Sequence, residues 1–169
     1  MDWPVIRQYD NENLREISLP IGGIGTGFFS MGGRGDLRDF QLMGRPNRGW
    51  KPMYAHLILW TKSKAGAKMR ILEQDLPGGF AGDSGNPEVF AAFPRFKDAQ
   101  FEASYPFGRV RLKDDDTPID ATIEAWNPLI PHHTDDSSLP MGMLTVTLKN
   151  KSKETIEASL SMLMCNIIG

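Results

Sequence analysis

"IDATIEAW", Ile119 to Trp126, alternates apolar and polar residues along its length. Successive side chains of an extended chain point to opposite faces, so Ile119, Ala121, Ile123 and Ala125 share one face and Asp120, Thr122, Glu124 and Trp126 the other. The pattern predicts a strand with one covered face. Downstream, "LTVTLKN" repeats it, with Leu144, Val146 and Leu148 inward and Thr145 and Thr147 outward. The polar "NKSKE" then leads into "TIEASLSMLM", and the two runs together read as a β-hairpin. Upstream, "YAHLILWT", "AKMRIL", "QFEASYP" and "GRVRLKD" are further β-type runs, separated by the turn-rich "KSKAG", "LPGGFAGDSGNPE" and "YPFG". Twelve prolines and 17 glycines lie among these runs and would break long helices. The expected fold is therefore all-β, an antiparallel β-sandwich or barrel. Helix is confined to short pieces at "NENLREI" and "PEVFAAF".

The chain has 169 residues, enough for one well-buried core. Its 19 basic and 21 acidic residues leave a net charge of −2, which gives no electrostatic footprint for nucleic acid or an anionic membrane. No window approaches the roughly 18 apolar residues of a membrane span, and "MDWPVIRQYD" has neither a basic start nor an apolar stretch of the secretory kind. A single cysteine, Cys165, fits a reducing compartment, so a cytoplasmic location is expected. The sequon at Asn150 then reads as a turn.

Two stretches stand out from the strands. "LPIGGIGTGFFSMGGRGDLRDFQL", Leu19 to Leu42, has glycines at 22, 23, 25 and 27. A dinucleotide fingerprint fails, because Phe28 and Ser30 stand where a third glycine would fall, and a P-loop fails because Phe28 and Phe29 replace its Lys-Ser/Thr. The run reads instead as a glycine-rich strand that allows close approach of another backbone or ring. "GGRGD" reads as a turn in which glycines 32, 33 and 35 take positive φ. The second stretch is "WNPLIPHHTDDSSLP", Trp126 to Pro140, whose three prolines predict a long loop. His132, His133, Asp135 and Asp136 are the types that ligate metals or move protons, but their spacing matches no strong zinc pattern, and neighbouring histidines on extended backbone diverge. Neither a metal site nor a cofactor is expected. Asp135, Asp136, Ser137 and Ser138 are expected to hydrogen-bond their own backbone and hold the loop in shape. Asp114, Asp115 and Asp116 read as a solvated acidic cluster.

Taken in order, "LPIGGIGTG" running into "GGRGDLRDFQL", then "FPRF", "YPFGRVRL", "IEAWNPLIPHHTDDSSLP" and the closing "NIIG" resemble the N-terminal domain of glycoside hydrolase family 116, which includes β-glucosidases of the non-lysosomal glucosylceramidase type. The resemblance spans nearly the whole chain. It implies a two-sheet, supersandwich-like domain over residues 1–169, packed in a longer polypeptide against a C-terminal (α/α)6 catalytic domain. Family members are retaining enzymes, and retention needs two carboxyl groups about 5 Å apart. In the family both lie in the helical domain, so no residue here inherits a catalytic role. The partners implied are that helical domain and, through it, a β-glucoside. His132, His133, Asp135, Asp136, Arg34, Arg38 and Trp126 are the candidates for a domain interface or substrate rim, with Arg45 able to reach a carboxylate across it, and Trp3, Trp50, Trp60 and Trp126 offer apolar area for docking or for a sugar face. A stand-alone carbohydrate-binding or protein-interaction sandwich is the alternative, with Trp126 and Trp60 as possible sugar platforms. A small hydrolase built on His132 with Ser137 or Ser138 is a third, lacking a nucleophile elbow.

Overall fold

The computed structural model describes residues 4–11, 13–75, 90 and 92–166. Eleven strands are found among them: β1 Arg7–Tyr9, β2 Ser18–Gly23, β3 Gly27–Gly32, β4 Leu37–Gln41, β5 Ala55–Ser63, β6 Gly66–Ile71, β7 Asp98–Ser104, β8 Phe107–Lys113, β9 Ile119–Trp126, β10 Met143–Asn150 and β11 Glu157–Met164. They form one five-stranded sheet, β1-β7-β8-β9-β10, and two three-stranded sheets, β2-β3-β4 and β11-β5-β6. All strand pairings are antiparallel. The fold is an all-β sandwich in which one layer is divided between two sheets.

Strand β9 sits near the middle of the large sheet, and its burial alternates as its sequence does. Ile119, Ala121, Ile123 and Ala125 are buried, while Asp120, Thr122, Glu124 and Trp126 are half-exposed. With Phe101, Val110 and Leu112 of β7 and β8 they form one wall of the main core. Ile21 and Met31 come from β2 and β3, Leu57 and Leu59 from β5, and Leu14, Leu72 and Phe96 from the connections. Full burial of each large aliphatic side chain contributes about 1.5–3 kcal/mol, so this cluster is the main source of stability. A smaller cluster of Leu37, Phe40 and Ala55 joins β4 to β5.

Several expectations are corrected. β10 and β11 are not a hairpin: β10 pairs with β9, and β11 crosses to the other layer to pair with β5 along its whole length. Asn150 still makes the expected turn, its side chain donating to the Glu154 carbonyl and accepting from the Ser152 amide. The glycine-rich run is two strands, β2 and β3, reversing at Ile24–Thr26. Of the glycines in "GGRGD", only Gly35 has positive φ (94°), whereas Gly32 and Gly33 are packed against the Asp36 carboxylate and the Leu14 backbone. Asp114 is buried, because it pairs with Arg70 at 2.8 Å and accepts the Asp116 amide, leaving only Asp115 and Asp116 in solvent. "NENLREI" yields a single 3-10 turn, Leu14–Glu16, and the proline-rich loop fits one helical turn, α1 Thr134–Ser137. Trp3, "LPGGFAGDSGNPE", most of "PEVFAAF" and the end of "NIIG" lie outside the described residues.

Candidate functional site

The two unusual stretches of the sequence meet in space. The β2–β3 reversal projects from the end of its sheet against the 127–142 loop, and the Ile24 amide donates to the Ser137 carbonyl at 2.9 Å. Gly23 makes this contact possible: a Cβ there would lie 2.4 Å from the Leu139 carbonyl oxygen and 2.7 Å from the Ser138 carbonyl carbon. Gly142 repeats the device, since a Cβ would fall 2.7 Å from both Ile21 and Phe29. Gly22, Gly23 and Gly27 thus serve close backbone approach, whereas Gly25 has positive φ and open space around it.

Inside the loop, the buried Ser137 hydroxyl accepts from the Ile130 amide at 2.9 Å and donates to the Ile130 carbonyl at 3.0 Å. The Ser138 amide closes the helical turn onto Thr134 at 2.9 Å. Ser137 therefore does the holding, and Asp135 and Asp136 point to solvent. His132, with φ of 68°, and His133 are exposed, and His133 lies 3.9 Å from Asp136, a surface contact of small energetic weight. The Ser137 hydroxyl is committed to the Ile130 backbone, which counts against it as the nucleophile of the small-hydrolase reading. Among the described residues no three His, Cys, Asp or Glu side chains converge as a metal site would need. Around the loop and reversal, Ile24, Ile130, Leu139, Met141 and Met143 leave between 41% and 54% of their surface in solvent. Apolar side chains in solvent thus occur on the reversal, on the loop and on the strand that leaves it.

The arginine candidates are placed differently. Arg34 is buried and donates to the Gln74 carbonyl at 2.9 Å, so the Arg34-Gly35-Asp36 tripeptide lies inside the fold. Arg38 clasps Asp36, with its Nε at 2.8 Å and its second nitrogen at 2.6 Å. These residues belong to a buried charge network that sequence reading did not detect. Glu73 accepts from His56 Nδ1 at 2.8 Å and Arg95 Nε at 3.3 Å, and Lys51 lies 3.6 Å from Glu73 and 3.9 Å from Asp36. The carboxylate only accepts, so His56 carries its proton on Nδ1. Burial pushes the Asp36 carboxyl up, but Lys51, Arg38 and Arg34 outweigh it and hold it well below the usual range. Burial acts on Glu73 in the same way, and Lys51 with the His56 hydrogen bond brings it down to about 2. Burial, aided by Arg34 and Arg38, lowers the Lys51 ammonium against the pull of Glu73 and Asp36, which raise it. Both carboxyls are thus held ionised, the opposite of what a general acid of glycoside cleavage requires. The network ties β4, β5 and the chain after β6 together.

Trp126 faces outward as alternation predicts, half-buried with its ring 6.1 Å from Phe107, and Trp60 is also half-buried. Beside Trp126, Arg109 bridges Glu124 at 2.6 Å and Glu102 at 2.9 Å, a cross-strand ladder on the outer face of the large sheet.

The profile of a protein family described as "beta-glucosidase 2, glycosyl-hydrolase family 116 N-term" matches residues 18–169. The chain belongs to this family. The family 116 N-terminal domain begins, in this match, at the first residue of β2 and takes in both glycine strands, the buried charge network, the 127–142 loop and β11. Its place in a glycoside hydrolase implies a catalytic domain as partner. No helix among the described residues is long and apolar enough to cross a membrane.

Proposed function

We propose that this domain is the non-catalytic β-sandwich half of a retaining β-glucosidase of the glucosylceramidase-like type, and that it supports and docks against a helical (α/α)6 catalytic domain in the same polypeptide. One observation carries the reading. The two most unusual segments of the sequence are locked together by the Ile24–Ser137 bond, and the face they build leaves Ile24, Ile130, Leu139, Met141 and Met143 in solvent. Apolar side chains grouped on a rigid scaffold are what an interdomain contact uses. His132, His133, Asp135 and Asp136 rim this face, and Trp126 ends the strand that leads into it. Arg34 and Arg38 act behind it, holding the scaffold through Gln74 and Asp36. Catalysis, and the choice of β-glucoside, rest with the helical domain. A cytoplasmic location belongs to the same proposal, supported by the lone free Cys165.

The test is made in the complete enzyme. Replacing Ile24 and Leu139 by Asp, and separately His132 and Asp135 by Ala, is expected to lower thermal stability and glycoside turnover together, more strongly for the apolar pair. If both double variants matched the parent in melting temperature and turnover, the docking role would fail.

A further inference from the structure

A second surface feature adjoins the β2–β3 reversal, where the chain leaves β4 and Leu42 lies against Gly27. Residues 42–50 form a loop returned onto β4 by a set of anchors centred on Asp39. Its amide donates to the Trp50 carbonyl at 2.8 Å, its Oδ1 accepts the Gly49 amide at 2.6 Å, and its Oδ2 accepts the Ser18 hydroxyl. Asp39 adopts φ of 53° to do this, an uncommon conformation for a residue with a side chain. Two further backbone bonds, Arg45 to Leu42 at 3.1 Å and Trp50 to Asn47 at 3.4 Å, brace the loop internally. The loop is therefore set before any ligand arrives.

Between this loop and the end of β11 lies an open groove of about 480 Å³ lined by Phe40, Leu42, Arg45, Asn47, Trp50 and Asn166, among others. That volume is within the roughly 300–1,000 Å³ of small-ligand sites. The Trp50 and Phe40 rings are perpendicular, 6.3 Å apart between centroids, and Trp50 leaves 39% of its surface in solvent. The Arg45 guanidinium makes no ion pair or hydrogen bond with the described residues, and its five donors point from an exposed side chain. Asn47 spends only one amide hydrogen, on the Phe40 carbonyl at 3.4 Å, and keeps its oxygen as an acceptor. Among the described residues no carboxylate lines the groove.

We infer that this groove is a binding subsite for a neutral gluco-configured glycan. A pyranose with equatorial hydroxyls has an apolar C–H face and a polar rim. The exposed Trp50 indole matches the first, and the Arg45 donors with the Asn47 carboxamide match the second. A bare anion would use Arg45 and gain nothing from the Trp50–Phe40 floor. The subsite rests on the β-glucosidase reading only for the choice of sugar configuration.

The test is a titration of the 169-residue chain with cellotetraose, followed by the tryptophan indole N–H resonances in two-dimensional NMR. A saturable shift of the Trp50 signal is expected, absent in Trp50→Ala, with binding about tenfold weaker in Arg45→Gln from loss of charged hydrogen bonds. Met53→Ala, an exposed neighbour outside the groove lining, should bind like the parent. The proposal is overturned if Trp50 does not shift, if binding survives Trp50→Ala, or if inorganic phosphate produces the same response as the sugar. Ile24 and Leu139 do not line the groove, so the docking variants are expected to leave this titration unchanged, and failure here and failure of docking are read separately.

Discussion

Gly23→Ala tests the contact on which the docking face is built. The new Cβ would lie 2.4 Å from the Leu139 carbonyl oxygen, 2.5 Å from the Thr26 hydroxyl and 2.7 Å from the Ser138 carbonyl carbon. The hydroxyl can rotate away, but two of the three obstacles are backbone. Ordinary contact demands that loop and reversal separate by about 1 Å. A shift of that size breaks the 2.9 Å bond from Ile24 to Ser137. The lost hydrogen bond costs about 1 kcal/mol and the overpacking about 1–3 kcal/mol, for a total near 2–4 kcal/mol. For a domain of this size, that lowers the melting temperature by roughly 4–16 °C. Gly25→Ala is the internal control, because Gly25 has φ of 73° and open space around its Cβ position. It should cost only the left-handed conformation, about 1–2 kcal/mol. The assay is urea unfolding of both variants and the parent, with equal m-values confirming that the same transition is compared. If Gly23→Ala unfolded within about 0.5 kcal/mol of the parent, or proved milder than Gly25→Ala, the close approach of hairpin and loop would be refuted.

Glu73→Gln leaves Arg95, Lys51 and His56 facing a neutral amide in a buried site. It is expected to cost about 3–5 kcal/mol in the same urea assay, and a loss below 1 kcal/mol would show that the network contributes little. The parent should also lose stability in acid. Because the Glu73 carboxyl is lowered from 4.5 to about 2 in the folded state, its contribution is complete above pH 4.5 and disappears as pH falls toward 2, with Asp36 acting in the same direction. Unfolding free energies measured at pH 7, 4 and 3 should fall steadily, and the slope should be smaller in Glu73→Gln; equal slopes would contradict the assignment. Strand β11 is exposed along its length, pairs only with β5 among the described residues, and carries Leu160, Met162, Leu163 and Met164 in solvent. The 169-residue chain should therefore self-associate, and Met162→Lys should reduce this in sedimentation velocity by charging the open edge. A parent that stays monomeric at high concentration would refute that expectation.

The strands were readable in the sequence because their signal is local. "IDATIEAW" alternates in sequence, and β9 alternates in burial, without reference to anything distant. Pairing is another matter. "LTVTLKN" and "TIEASLSMLM" are separated by a polar turn and suggest a hairpin, yet β11 finds its partner in β5, where Leu160 aligns with Leu59 about a hundred residues earlier. Periodicity identifies a strand but does not say which edge it joins. Asp114 shows the same limit, since its burial depends on Arg70, 44 residues away.

The candidate face was partly legible. The glycines at 22 and 23 signalled close approach, and the prolines of 126–140 signalled a loop, but that Leu139 sits over Gly23 follows only from the tertiary fold. The buried charges were not legible at all. Asp36, Lys51, His56, Glu73 and Arg95 are scattered over 60 residues, each in an ordinary local setting, and only packing makes them a network. Arg34 and Asp36 look like surface charges in a glycine-rich turn, whereas both are buried.

The most direct test of the docking account is hydroxyl-radical footprinting of the 169-residue chain against the complete enzyme. The account predicts that Leu139, Met141 and Met143 react readily in the short chain and are protected several-fold in the complete enzyme, while exposed Met53 and Met69 remain reactive in both. Equal reactivity of the first three in the two proteins would contradict it.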